Sequence, residues 1–254
     1  MNLKKSVAKR VTCFSDWLDK LFAPAPLRTY NHIISLGFNC EVAFQFLEYH
    51  KFLESHLFNW CYTYGIRDLI KAIQSLDSIG KDFKPSPPMW QDAVHMINFH
   101  GRGHAKIWKP DANPALLQED KAELISRVAH LKEKFNKLAN SPETILFVYK
   151  PHLEELGSPE SLAADSLELC KALSSRGMKE FDLLLVVTKD TLPVIQAQFH
   201  KSGANIIIES VSRHAPIESV TAGPFDKAGW RRIWAKYATT YKPTSKHKKY
   251  KFNQ

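Results

Sequence analysis

Phe181-Asp182-Leu183-Leu184-Leu185-Val186-Val187-Thr188 is a short, almost wholly apolar run closed on both sides by charge, Lys179-Glu180 before it and Lys189-Asp190 after it. A run of this length without alternation fits a strand buried on both faces better than an amphipathic helix. Two similar runs flank it, Thr144–Tyr149 (TILFVY) and Asn205–Glu209 (NIIIE). Between the runs lie helical stretches. Ser161 to Ser174 is stopped near Gly177, and Thr191 to Lys201 carries Pro193 in its first turn, where proline is tolerated. A β-α-β-α-β succession of this kind predicts an α/β fold, a single domain with a mostly parallel sheet and helices on both faces.

The first half extends the pattern. Ile33 to Leu36 reads as the first strand and Cys40 to His50 as a helix with Ala43, Phe44 and Leu47 on one face. Arg67 to Leu76 reads as a second helix, Lys81 to Pro88 as a proline-rich loop followed by Met89 to His100, and Lys121 to Leu138 as a long amphipathic helix. Trp230 to Tyr241 reads as the terminal helix. The α/β domain is thus expected over residues 29–241. Residues 1–28 form a basic segment with an amphipathic helix (Val7, Val11, Phe14, Trp17, Leu18, Leu21) ended by Pro24 and Pro26, and residues 242–254 form a basic, flexible tail.

The chain of 254 residues is 44% hydrophobic and 24% charged, which excludes a fibrous or low-complexity protein. No signal peptide and no membrane-spanning run is read. Cys13, Cys40, Cys61 and Cys170 are widely spread with no CxxC pair, so neither a disulfide scaffold nor a structural zinc site is expected, and no residue is assigned as a metal ligand. A reducing cytoplasm is the simplest compartment. The net charge of +9 attracts polyanions. No nucleic-acid motif is present, which leaves an acidic glycan or peripheral contact with the inner face of an anionic membrane.

Cys40 follows the first strand through Ser35-Leu36-Gly37-Phe38-Asn39 and opens a helix. A helix N-terminus favours a thiolate, and the carboxyl ends of parallel strands are where such folds bind ligands. Gly37 permits a tight turn, and the Asn39 side chain or the amides of residues 39–41 could stabilise an oxyanion. A cysteine nucleophile needs a base, for which the candidates are His100, His56 and His104. A buried structural cysteine and solvated histidines are the bland alternatives.

Ser35-Leu36-Gly37-Phe38-Asn39-Cys40, then Ser55-His56-Leu57-Phe58-Asn59-Trp60, then Phe99-His100 resemble the motif series of a bacterial family described as papain-like cysteine peptidases, and Arg127 with Ile145-Leu146-Phe147-Val148 is similar to its later part. Leu57 stands where that family often has Pro, and Asn59 where it often has Asp. The resemblance implies a Cys–His site of Cys40 with His100 or His56; beside it, Asn39 is a candidate oxyanion donor, and Gly37, Ser55, Asn59, Trp60, Arg102, His104 and Lys106 are candidates for binding substrate. A cysteine placed after the first strand of a βαβ unit is closer in element order to capsule-biosynthesis acetyltransferases, which use coenzyme A, than to papain. The expectation is therefore a Cys–His acyltransferase or acyl hydrolase acting on a bacterial surface polysaccharide or related glycan. A coenzyme A thioester is a candidate acyl donor, and Arg102 and Lys106 are candidates for its phosphates. A cysteine peptidase and a non-catalytic module for an anionic glycan stay open as alternatives.

Overall fold

The computed structural model describes residues 25–101, 107–109, 113–199, 205–215 and 225–242. The expected N-terminal helix, Arg102, His104, Lys106 and all of the basic tail after Lys242 lie outside them.

Four strands make the parallel sheet: β2 (His32–Ser35), β7 (Ile145–Tyr149), β8 (Phe181–Thr188) and β9 (Ile206–Val211), in that spatial order. One row of the register runs Ile34, Phe147, Leu183, Ile206. Alternate residues face opposite sides, as strand geometry requires. Ile34, Phe147, Leu183 and Leu185 pack with α2 (Ile66–Gln74), α3 (Pro114–Leu138), α5 (Pro159–Ser175) and α6 (Leu192–Phe199). Ile33, Leu146, Leu184 and Val186 pack on the other side with α1 (Glu41–His50) and α7 (Lys227–Lys236), through Val42, Phe46, Trp230 and Trp234. Each fully buried apolar side chain of this kind contributes about 1.5–3 kcal/mol. The chain is therefore α/β, with helices on both faces of the parallel sheet. No helix among the described residues is long and apolar enough to cross a membrane.

Several expectations are corrected. Residues 81–88 are not a loop: β4 (Phe83–Ser86) pairs with β5 (Met89–Asp92), and with β6 (Ile97–Phe99) and β3 (Cys61–Tyr62) they form an antiparallel sheet ordered β3-β6-β5-β4. Pro85 fits because β4 is the edge strand, where a missing N–H breaks no ladder. The terminal helix does not reach Tyr241 but ends at Lys236, and Tyr237–Thr239 becomes β10, paired in parallel with β1 (Arg28–Tyr30). Tyr237 leaves the helix because its ring is buried and its hydroxyl donates to Glu209 at 2.9 Å. Helix α3 begins seven residues before the expected Lys121, at Pro114, where the Asn113 side chain accepts from the Ala115 amide at 2.9 Å. The short helix α4 (Leu153–Leu156) follows β7.

Helix α3 is locked to the antiparallel sheet by buried Asp120, which accepts from Trp90 Nε1 at 2.7 Å. The backbone of Gly101 passes so close that a Cβ there would stand 1.9 Å from Asp120 Oδ2. The carboxylate cannot swing away without losing its indole partner. Gly101→Ala is therefore expected to destabilise the protein by about 1–3 kcal/mol in urea unfolding. An unchanged midpoint would show that Asp120 yields freely.

Candidate functional site

The carboxyl end of β2 continues into a buried loop. Leu36 still pairs through its amide with Val148 at 2.9 Å. Gly37 then takes φ 98°, a left-handed conformation suited to glycine, and a Cβ there would lie 3.3 Å from Thr63 Oγ1. The Phe38 carbonyl accepts from the Thr63 amide at 3.0 Å, and Asn39 Oδ1 accepts from the Glu41 amide at 3.0 Å. Cys40 occupies the N-cap of α1, its carbonyl accepting from the Phe44 amide at 3.0 Å. Asn39, not the thiol, therefore caps the helix. Two buried polar atoms of this neighbourhood, Asn39 Nδ2 and Thr63 Oγ1, have no hydrogen-bond partner among the described residues.

Cys40 is thus at the predicted helix start, but it is buried, and burial pushes its thiol up to about 12. A rise of that size from 9.0 is about 4 kcal/mol against the thiolate. A helix N-terminus returns at most about 2 kcal/mol. Burial wins, and the resting protein holds Cys40 as a thiol at neutral pH. Cys61, whose Sγ lies 3.9 Å from the point a Gly37 Cβ would occupy, is buried and raised for the same reason.

Beside the thiol stands a buried ion pair. Glu41 Oε2 accepts from Lys150 Nζ at 2.8 Å and from the Ala215 amide at 2.9 Å, while Oε1 accepts from Trp230 Nε1 at 2.9 Å. Lys150 is the first residue after β7, and its ammonium also lies 4.9 Å from the centre of the Phe38 ring. Burial lowers the Lys150 pKa despite its carboxylate partner. The Phe38 ring meets His152 edge-on at 4.7 Å and Tyr62 at 5.1 Å, and Tyr62 in turn meets Tyr64 at 5.2 Å. Tyr64 opens a cleft of ≈ 280 Å³ lined also by Arg67, Asp68, Glu154, Glu155 and Asp165. The cleft is acidic. Its one guanidinium, Arg67, is held by Asp165 at 2.9 Å, and the first amide of α2, Ile66 N, already donates to Glu155 at 2.7 Å.

The other expected residues divide. His56 is buried at the opposite, amino end of β2, where His32, the first residue of that strand, meets its ring edge-on at 6.0 Å. Its Nε2 lies 3.2 Å from Glu54 Oε2 without the alignment of a hydrogen bond, and burial pushes its pKa down to about 4. Burial opposes a charge on Glu54, but His32, His56 and Lys134 together hold its carboxyl below the ordinary range. Ser55 offers its carbonyl to Lys134 Nζ at 2.9 Å, and Asn59 Nδ2 donates to the Glu54 carbonyl at 2.8 Å, so Asn59 braces this loop rather than a catalytic ring. Trp60 packs edge-on against Phe44 at 5.2 Å and accepts from the His100 amide at 3.5 Å. His100 is exposed after β6, its carbonyl taken by Arg127. Among the described residues no histidine is hydrogen-bonded to the Cys40 thiol.

The loop holds Gly37, Asn39 and Cys40, and Thr63, Lys150 and Trp230 gather on it through Phe38 and the Glu41 side chain, contacts that the sequence alone does not show. Lys150 did carry a signal, a cation closing the apolar run 145–149. No protein-family model matches the chain, and neither does any curated protein or solved structure.

His214 lies next to this clamp, with Nε2 3.1 Å from the Val186 carbonyl. Burial, with the Lys150 ammonium beside it, pushes its pKa down to about 4 from 6.5, against the opposing pull of Glu41. The unfolded chain binds this proton first, so the stability that a neutral His214 preserves is present above pH 6.5 and is lost as the pH falls toward 4. Urea unfolding of the wild type should lose about 2 kcal/mol more over that window than unfolding of His214→Gln, after allowance for partial solvent screening. Parallel losses would show that His214 protonates without penalty.

Proposed function

We propose that the chain is an acyl-transfer enzyme, a transferase or hydrolase, that binds its acyl group at the Gly37–Glu41 loop and a glycan in the cleft that Tyr64 opens. The observation that carries this reading is the pair of buried atoms Asn39 Nδ2 and Thr63 Oγ1, neither with a partner among the described residues. An unmade buried hydrogen bond costs about 1–3 kcal/mol. Two such donors beside a helix N-terminus are what a developing oxyanion would use. The resemblance of residues 35–40 to the papain-like family supports the same chemistry.

In a thioester route, Cys40 Sγ would bond to the acyl carbon, the thiol proton would pass to a base, and the original leaving group would depart. With the thiol raised to about 12 and no described histidine bonded to it, the reading rests on the donors and takes Cys40 as a lining residue of the acyl site. The carboxylates of the cleft, Asp68, Glu154, Glu155 and Asp165, disfavour the phosphates of a coenzyme A donor there and match a neutral or amino-sugar glycan instead. Tyr64, 51% exposed, offers such a sugar an apolar face. Free Cys40, Cys61 and Cys170 fit a cytoplasmic setting.

The test is turnover of aryl acetates and acetyl-coenzyme A with amino-sugar oligomers as acceptors. Asn39→Ala and Thr63→Val should each lower turnover by about 10²-fold with unchanged circular dichroism. Full turnover in both variants would contradict the assignment of the site. Mass spectrometry of the quenched reaction then shows whether an acyl group rests on Cys40.

A further inference from the structure

The amino end of β2 holds a cluster that the acyl-transfer reading does not use. His32 Nδ1 lies 2.7 Å from Glu54 Oε2, His56 Nε2 lies 3.2 Å from the same oxygen, and one donor atom from each of the three residues falls within 4.8 Å of the others. His56 is 1% exposed, and both its ring nitrogens lack a hydrogen-bond partner among the described residues. A buried imidazole whose Nδ1 has no partner among the described residues, and whose Nε2 lies 3.2 Å from a carboxylate outside hydrogen-bond alignment, is placed as a metal ligand would be.

We infer that His32, Glu54 and His56 form a site for one divalent transition-metal ion of the zinc class. Two imidazoles and one carboxylate are a familiar donor set for such an ion, with bonds of about 2.0–2.2 Å. That bond length sets neighbouring tetrahedral ligand atoms about 3.3 Å apart. The His56 to Glu54 separation of 3.2 Å already meets this, His32 and Glu54 must part from 2.7 Å, and the two imidazole nitrogens, within 4.8 Å of each other, must come to the same spacing.

The surroundings support the ligands. His32 Nε2 lies 3.1 Å from Glu143 Oε2, the carboxylate–histidine arrangement that fixes a metal-binding tautomer. Lys134 Nζ holds the other oxygen of Glu54 at 2.8 Å, leaving Oε2 for the metal. On binding, His32 gives up any Nδ1 proton to solvent and keeps its Nε2 proton toward Glu143. Three protein ligands leave a fourth position for water. Strand β2 separates this cluster from the Cys40 loop, so the ion would fasten the 54–59 loop to the strand rather than touch the acyl site.

The experiment uses the full chain without a histidine tag, stripped with a chelator and titrated with zinc ion alone against a chromophoric chelator. One equivalent should bind with a submicromolar Kd and raise Tm. Glu143→Gln, a change at a partly exposed carboxylate outside the ligand set, should weaken binding about 10–100-fold without altering circular dichroism. His56→Gln should weaken it further. Cobalt substitution should give visible d–d bands with no sulfur charge-transfer band. The inference is overturned by the absence of stoichiometric uptake, by equal affinity in wild type, Glu143→Gln and His56→Gln, or by a sulfur-to-cobalt band that would put the ion on cysteine.

Discussion

The pairing of Glu41 with Lys150 is the constraint on which the carboxyl end of the sheet depends. Both residues are fully buried. Taking two charges out of water is expensive, and their attraction compensates only when the geometry is good and the remaining lone pairs are used. Here they are: the carboxylate accepts from an ammonium, an indole and a backbone amide. Those donors come from the end of β7, from α7 and from the loop after β9, while Glu41 itself starts the helix after β2. One side chain thus joins the ends of three parallel strands and the final helix. Removing either charge would leave the other buried without its partner.

That clamp explains the state of the neighbouring thiol. Glu41 points into the protein from the first turn of α1 and draws the helix start inward, so Cys40, one residue earlier, is covered as well. Position at a helix N-terminus, taken alone, argues for a thiolate. Burial argues for a thiol, and the desolvation is the larger energy. The same geometry keeps Asn39 and Thr63 away from water with groups to spare. The two ends of β2 thus differ in character: polar donors and thiols at the carboxyl end, imidazoles and carboxylates at the amino end.

The sequence made the parallel sheet legible because β7, β8 and β9 are continuous apolar runs between clear turn signals, and such runs can be buried only between two layers of helices. It also located Cys40 correctly at the start of α1. What it could not convey was which segments meet. Tyr237–Thr239 reads as the tail of a helix because its partner, Arg28–Tyr30, lies at the other end of the described chain. Phe83–Ser86 is disguised by Pro85. His56 looks like a partner for Cys40 because their motifs are neighbours in sequence, yet α1 carries the chain back to the amino end of β2 before His56 is reached. Glu41 and Lys150 each look like surface charges, and only their meeting in space makes burial tolerable.

A double-mutant cycle on Glu41→Gln and Lys150→Met, followed by urea unfolding, tests this account most directly. Each single variant should lose about 3–5 kcal/mol, since each strands the surviving charge or its donors in the interior. The double variant should recover a large part of that loss, giving a coupling energy of at least about 2 kcal/mol. Losses that add to within about 0.5 kcal/mol would contradict the account, because they would mean that the two residues stabilise the sheet end independently.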